Sequence, residues 1–190
     1  MAPLKTVGIL ALQGDFEAHR KAVLRADAGV AVAEVRTAAD LSRCDGLIIP
    51  GGESSTMLKL LDMENLEGPL RDFAAHKPLY GSCAGAILLA REVARPAQPG
   101  LGFMDIAVER NAYGRQVDSR IATIALRDGG DMEAVFIRAP IIRRVAGDAT
   151  ILATYEGNPV WVEQGRHMVT TFHPELGQDT RVHQRFLRKL

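Results

Sequence analysis

The sequence predicts a three-layer αβα fold, an open and mostly parallel sheet between helices, with extra hairpin strands in its second half. Three observations carry that expectation. Through the first half, apolar runs of strand length alternate with stretches at helical spacing. Those runs are near-continuous rather than alternating, which marks strands buried on both faces beneath helices. After the Pro/Gly-rich stretch RPAQPGLG (95 to 102) the helical spacing gives way to short β-like runs, several joined by Gly, Asn or Asp turns.

Taken in order, TVGILAL (6 to 12) is the first buried strand and DFEAHRKAVLRA the first helix. VAVAEVR and DGLIIP (45 to 50) are strands, and STMLKLL is helical. Leu79-Tyr80 ends a short buried strand, and Ala84 to Arg91, rich in Ala, Leu and Ile, reads as a helix. Beyond the loop, IAVER, RIATIAL, AVFIR, TILATY, PVWVEQ and HMVTTF are β-like, and one closing helix is expected near Thr180 to Leu190. No repeat, low-complexity tract or linker divides the chain, so residues 1 to 190 are expected to form a single domain.

Charge excludes some partners. Lys plus Arg number 23 and Asp plus Glu 23, and no basic cluster interleaves with aromatics, so no nucleic-acid footprint is expected. The opening MAPLKTVGILALQG has one Lys and an apolar run too short for a membrane span, without a cleavage-site pattern. The protein is therefore expected in the cytoplasm, where its two cysteines, Cys44 and Cys83, are free thiols.

Three stretches fall at the carboxyl ends of predicted strands, where open α/β sheets bind ligands: PGGESS, GSCAG and TFHPEL. Gly81-Ser82-Cys83-Ala84-Gly85 is the thiol form of the nucleophile elbow, a strained strand-to-helix turn that pushes its central side chain out of the sheet. A helix N-terminus at that corner favours a thiolate. The alternative is a small core cysteine.

His173-Pro174-Glu175 supplies a base and an orienter, because an extended His-Pro-Glu places the two outer side chains on one side. Otherwise His173 caps a strand and Glu175 starts a solvated turn. Pro50-Gly51-Gly52-Glu53-Ser54-Ser55 follows a strand and opens a helix; its glycines let backbone N–H groups approach a ligand. Gly52 N–H with that of Ala84 would form an oxyanion hole. The other reading is a tight turn with Ser54 or Ser55 as N-cap.

With these residues assembled, the chain resembles the class I, triad-type glutamine amidotransferases, whose sheet is flavodoxin-like. Within that class it is most similar to the glutaminase subunits of two-subunit pyridoxal 5'-phosphate synthases. The likeness runs through LALQGDFEAH (10 to 19), PGGESSTM (50 to 57), GSCAGAILLA (81 to 90), VERNAYGRQVDS (108 to 119), FIRAP (136 to 140) and FHPEL (172 to 176). It implies that Cys83 is the nucleophile, His173 the general base and acid, and Glu175 its orienter. It also implies that Gly51, Gly52, Glu53, Arg110, Ile137 and Arg138 line a pocket for L-glutamine. Arg110 or Arg138 would take the substrate carboxylate and Glu53 its ammonium.

Ser82, where Thr is common, and Ala86, where a larger apolar residue is usual, depart from the family pattern. The resemblance further implies a glutaminase without cofactor or metal, passing ammonia to a separate synthase subunit for vitamin B6 synthesis. Gln13, at the end of the first strand, is placed at the partner interface. There, docking would turn a misdirected Gly52 N–H towards the substrate. A glutaminase serving another acceptor, such as the histidine route, and a catalytically silent interaction module are the competing readings; the complete Cys-His-Glu set argues against silence.

Overall fold

The structure, a computed structural model, describes residues 4 to 112 and 119 to 190. Residues 113 to 118 of the VERNAYGRQVDS stretch lie outside the described residues. Strand β1 (Thr6–Leu10) leads to α1 (Phe16–Ala26), β2 (Ala31–Val35), α2 (Ala38–Ser42), β3 (Gly46–Ile49) and α3 (Ser54–Met63). Helix α4 (Glu67–His76), β4 (Leu79–Ser82) and α5 (Ala84–Leu89) complete the alternating part. The second half runs β5 (Ala90–Ala94), β6 (Met104–Glu109), β7 (Ser119–Leu126), β8 (Asp131–Ile137) and β9 (Ile141–Val145). It closes with β10 (Thr150–Tyr155), β11 (Asn158–Gln164), β12 (His167–Thr170), a 3₁₀ turn (Pro174–Leu176) and α6 (Arg181–Leu187).

One large sheet has the order β2-β1-β3-β4-β12-β11-β10-β7-β8. From β2 to β12 every pairing is parallel, and from β12 to β8 every pairing is antiparallel. A smaller sheet, β5-β6-β9, packs beside it. The central parallel strands β3 and β4 are sealed from water along their whole length, as their continuous apolar runs require, whereas the edge strand β2 is only partly buried. The hairpin β7–β8 instead alternates buried with more exposed positions.

Two apolar layers hold the sheet between helices. On one side Leu47, Ile49, Leu79 and Val169 pack with Met57 and Leu61 of α3 and with the wholly buried α5. On the other, Ile9, Ile48, Tyr80 and Met168 pack with Val23 of α1 and with Val182 and Phe186 of α6. Among the described residues no helix is long and apolar enough to cross a membrane.

Two local expectations are corrected. Helix α5 stops at Leu89 instead of running to Arg91, and the chain continues as β5. The carbonyls of Leu88 and Ala90 accept the N–H groups of Leu101 and Gly102 and Ala90 pairs with Met104 of β6, so the backbone beyond Leu89 bonds across to a later segment instead of along the helix. Nor is His-Pro-Glu extended. Proline at the first helical position starts a single 3₁₀ turn, with Leu176 N–H donating to the His173 carbonyl at 3.2 Å.

Candidate active site

Strand pairing assembles the site. Strand β12 lies parallel to β4 with Thr170 opposite Ser82, and Cys83 N–H donates to the Thr170 carbonyl at 2.8 Å. The chain ends at which Cys83 and His173 follow their strands therefore emerge side by side. His173 is fixed from a third direction, because its N–H donates to the Val135 carbonyl of β8 at 2.8 Å.

Cys83 occupies the corner between β4 and α5 at φ +50° and ψ −103°, a strained conformation for any side-chain-bearing residue. Its flanking glycines are steric necessities. A Cβ on Gly85 would run into the Ile49 carbonyl oxygen, and one on Gly81 would stand 2.5 Å from the Gly85 carbonyl. The corner is thus wedged tightly against β3, and its thiol faces the Ile137 carbonyl at 4.0 Å.

His173 Nδ1 lies 2.7 Å from Glu175 Oε1, both side chains being buried. With a carboxylate as acceptor, Nδ1 carries the proton and Nε2 is left for the nucleophile side. Gly51 triangulates the three elements: a Cβ there would be 2.5 Å from His173 Cε1 and 3.5 Å from Cys83 Cβ. Burial opposes charging of His173, but hydrogen bonding and charge from Cys83 and Glu175 prevail and push it up to about 10. Burial likewise opposes ionisation of Glu175, yet the nearby His19 and His173 hold it down to about 2.

Beside His173 opens a cavity of about 340 Å³, lined by Gly51, Gly52, Glu53, Arg110, Ile137 and Arg138 among others. All six of the residues expected at the glutamine pocket are there. Arg110 Nη2 donates to Glu53 Oε1 at 3.2 Å, so two groups expected to grip opposite ends of the substrate pair with each other. Glu53, not Ser54 or Ser55, caps α3. Its carboxylate accepts from the backbone N–H groups and hydroxyls of Ser55 and Thr56, which outweigh the effect of burial and hold it down to about 2.

Gln13 reaches the same loop: its Oε1 accepts the Glu53 N–H at 2.9 Å, and a Cβ on Gly52 would collide with it. Gly52 itself has φ +153°.

The comparisons with known proteins agree with this arrangement. The model of the SNO glutamine amidotransferase family matches residues 9 to 190. The chain belongs to that family. Among its glutamine amidotransferase relatives is the "Pyridoxal 5'-phosphate synthase subunit PdxT" of Solibacter usitatus, 53% identical over 98% of this chain and 100% of the relative. The protein of the same name from Deinococcus radiodurans is 53% identical over 96% and 95%. A solved structure described as a glutamine amidotransferase superposes with a TM-score of 0.89 at 43% identity, over 96% of this chain and 97% of that one. A more distant glutamine amidotransferase from Thermotoga maritima shares the fold, with a TM-score of 0.63 at 14% identity over 98% of this chain and 82% of that one.

The motifs missed one buried group of this amidotransferase. His19 of α1 is fully buried, with Nε2 2.9 Å from Ser82 Oγ and 3.4 Å from Glu175 Oε2, and Nδ1 3.1 Å from His183 Nε2. Its signal in the sequence was a polar residue sharing a helical face with Ala22 and Val23.

Proposed function

We propose that this protein is the glutaminase of a pyridoxal 5'-phosphate synthase: it hydrolyses L-glutamine and delivers the ammonia to a separate synthase subunit. The observation that carries this reading is a strained, glycine-flanked cysteine beside a His-Glu pair at 2.7 Å, with His173 lining a cavity that bears both charge signs. The named relatives, which are synthase subunits, supply the acceptor pathway.

In the proposed reaction His173 holds a proton at neutral pH and Cys83 attacks as the thiolate, forming an S–C bond to the side-chain amide carbon. The Gly52 and Ala84 N–H groups stabilise the resulting oxyanion. Collapse breaks the C–N bond while His173 gives its proton to the departing nitrogen, so ammonia leaves and a γ-glutamyl thioester remains. Water, deprotonated by His173, then attacks that carbon, and glutamate departs as the thiolate is restored. Glu175 fixes the Nδ1–H tautomer throughout. Substrate binding requires Arg110 to exchange Glu53 for the glutamine carboxylate, or Arg138 to take it, leaving Glu53 for the ammonium. No cofactor or metal enters any step.

The chain works in this reading as one domain in the cytoplasm, a compartment suited to its free Cys44 and Cys83. Gln13 sits at the synthase interface and, through Glu53 N–H, couples docking to the Gly51-Gly52 peptide. The test is a steady-state glutaminase assay of the chain with and without synthase. Docking should raise kcat by about 10²–10³, the worth of one oxyanion donor, with a smaller change in KM. Gln13→Ala should blunt that rise. Equal kcat with and without synthase would refute the gating, and full activity of Cys83→Ala would refute the reaction.

A further inference from the structure

The triad accounts for one oxygen of Glu175 and leaves the other unexplained. Oε1 faces His173 Nδ1, whereas Oε2, in a side chain with no solvent exposure, has no hydrogen-bond partner among the described residues. A carboxylate so placed needs positive potential at both oxygens if it is to stay ionised and keep its orientation. His19 Nε2 lies 3.4 Å from Oε2.

The partners of His19 determine its tautomer. His183 Nδ1 is buried without a partner among the described residues, so a proton there would be an orphaned donor; a bare nitrogen costs less. The proton of His183 therefore sits on Nε2 and is donated to His19 Nδ1 at 3.1 Å. That leaves the proton of a neutral His19 on Nε2, directed between Ser82 Oγ at 2.9 Å and Glu175 Oε2 at 3.4 Å. The opposite tautomer would turn a lone pair towards a carboxylate. Burial keeps both imidazoles uncharged by lowering their proton affinity, His183 to about 3.

We propose that His19 is a positioning residue for glutamine hydrolysis: its Nε2–H, oriented by His183 and anchored on Ser82, holds the outer oxygen of Glu175 so that the inner one stays on His173. The same contact ties Ser82, the residue before the nucleophile, to the orienter, so both flanks of the Cys83–His173 pair share one support. The groups facing His19 are Glu175 and His173 from around the 3₁₀ turn, His183 from α6, Tyr80 from β4 and Asp15 on its own element, with Arg25 facing His183.

The kinetic arm of the test rests on the glutaminase reading; the thiol arm does not. His19→Leu removes both nitrogens, whereas His19→Gln returns an amide N–H near the position of Nε2. On the isolated chain, the rate of Cys83 alkylation by iodoacetamide is followed against pH, with the modified residue located by mass spectrometry. In His19→Leu, a less firmly held Glu175 supports the imidazolium less, so the thiolate should form at higher pH, by about half a unit or more. With synthase present, kcat per Cys83 site should fall about 10–100-fold, the worth of a hydrogen bond to a charged group, while KM stays within about threefold. His19→Gln should recover most of both.

Should His19→Leu not fold, His183→Phe frees the tautomer and should move the alkylation midpoint in the same direction. An unmoved midpoint in His19→Leu or His183→Phe, or equal losses in the Leu and Gln variants, would overturn the proposal. A midpoint that moves in a chain lacking glutaminase activity would uphold the positioning role and reject the glutaminase reading instead.

Discussion

At the scale of residues, the two cysteines, both buried, differ in backbone strain and in their neighbours. Cys44 is fully buried, its thiol rests on the Asp40 carbonyl at 3.4 Å, and burial pushes its proton affinity up. Cys83 stands at a strained corner beside His173. A diazo-ketone analogue of glutamine should therefore label Cys83 and spare Cys44 in the folded protein, as peptide mass spectrometry would read; labelling of Cys44 alone would remove Cys83 from the reaction. The His-Glu pair makes a second prediction. Glu175→Gln loses the charge that fixes the Nδ1–H tautomer and should lower kcat by as much as about 10⁴-fold. His173→Asn removes the base altogether and should leave still less turnover, so near-normal kcat in that variant would exclude His173. The motifs made Cys83, His173 and Glu175 legible because each sits in a short stretch whose backbone restricts it. His19 was not legible. Its spacing marks only the buried face of α1, and its partners at positions 82, 175 and 183 lie on three other segments.

Among the elements, the turn from β4 into α5 depends on backbone contact and α4 does not. Gly85→Ala would drive its Cβ into the Ile49 carbonyl of β3, displacing either the strand or the corner that carries Cys83. Urea unfolding should show a loss of about 1–3 kcal/mol, accompanied by loss of glutaminase activity. Gly68 lies within α4, and a Cβ added there would meet nothing within 4 Å, so Gly68→Ala should instead stabilise the protein by about 0.5–1 kcal/mol and leave activity unchanged. Equal effects of the two substitutions would deny the elbow its tight packing. The first helix, the strands flanking it and most of the later β-runs were legible as elements because period and length agreed. The end of α5 was not, since Ala90 and Arg91 suit a helix and only bonding to the distant Leu101, Gly102 and β6 draws the backbone into a strand. The α4 segment went unread as a helix, and β9 as a strand, for want of any motif to draw attention to them.

For the whole molecule, the decisive event is the return of β12 to pair with β4, a parallel contact across almost the full second half that no local pattern encodes. That return also buries imidazoles, and they set the acid stability of the fold. His167 opens β12, and its Nδ1 accepts the Leu79 N–H at 3.2 Å, a bond that a protonated ring cannot accept. Burial, with Arg166 and Lys189 nearby, lowers its proton affinity to about 4, and burial lowers that of His183 to about 3. Both groups are neutral when folded and ionise near pH 6.5 when unfolded, so the unfolded state binds more protons below that pH. Their contribution is complete above pH 6.5 and is lost as the pH falls towards 4 and 3. The carboxylates of Glu175 and Glu53, held down to about 2, add to the loss only below about pH 4.5. Between pH 6 and 5 the free energy of unfolding should therefore decline at a slope of at least roughly two protons, the buried His19 adding to the count, each worth about 1.4 kcal/mol per pH unit. His167→Gln, which presents an uncharged acceptor to Leu79, should reduce that slope by about one proton, as urea titrations at a series of pH values would show. A slope unchanged by His167→Gln would mean that the ring is already charged in the folded protein and that Leu79 N–H has another acceptor.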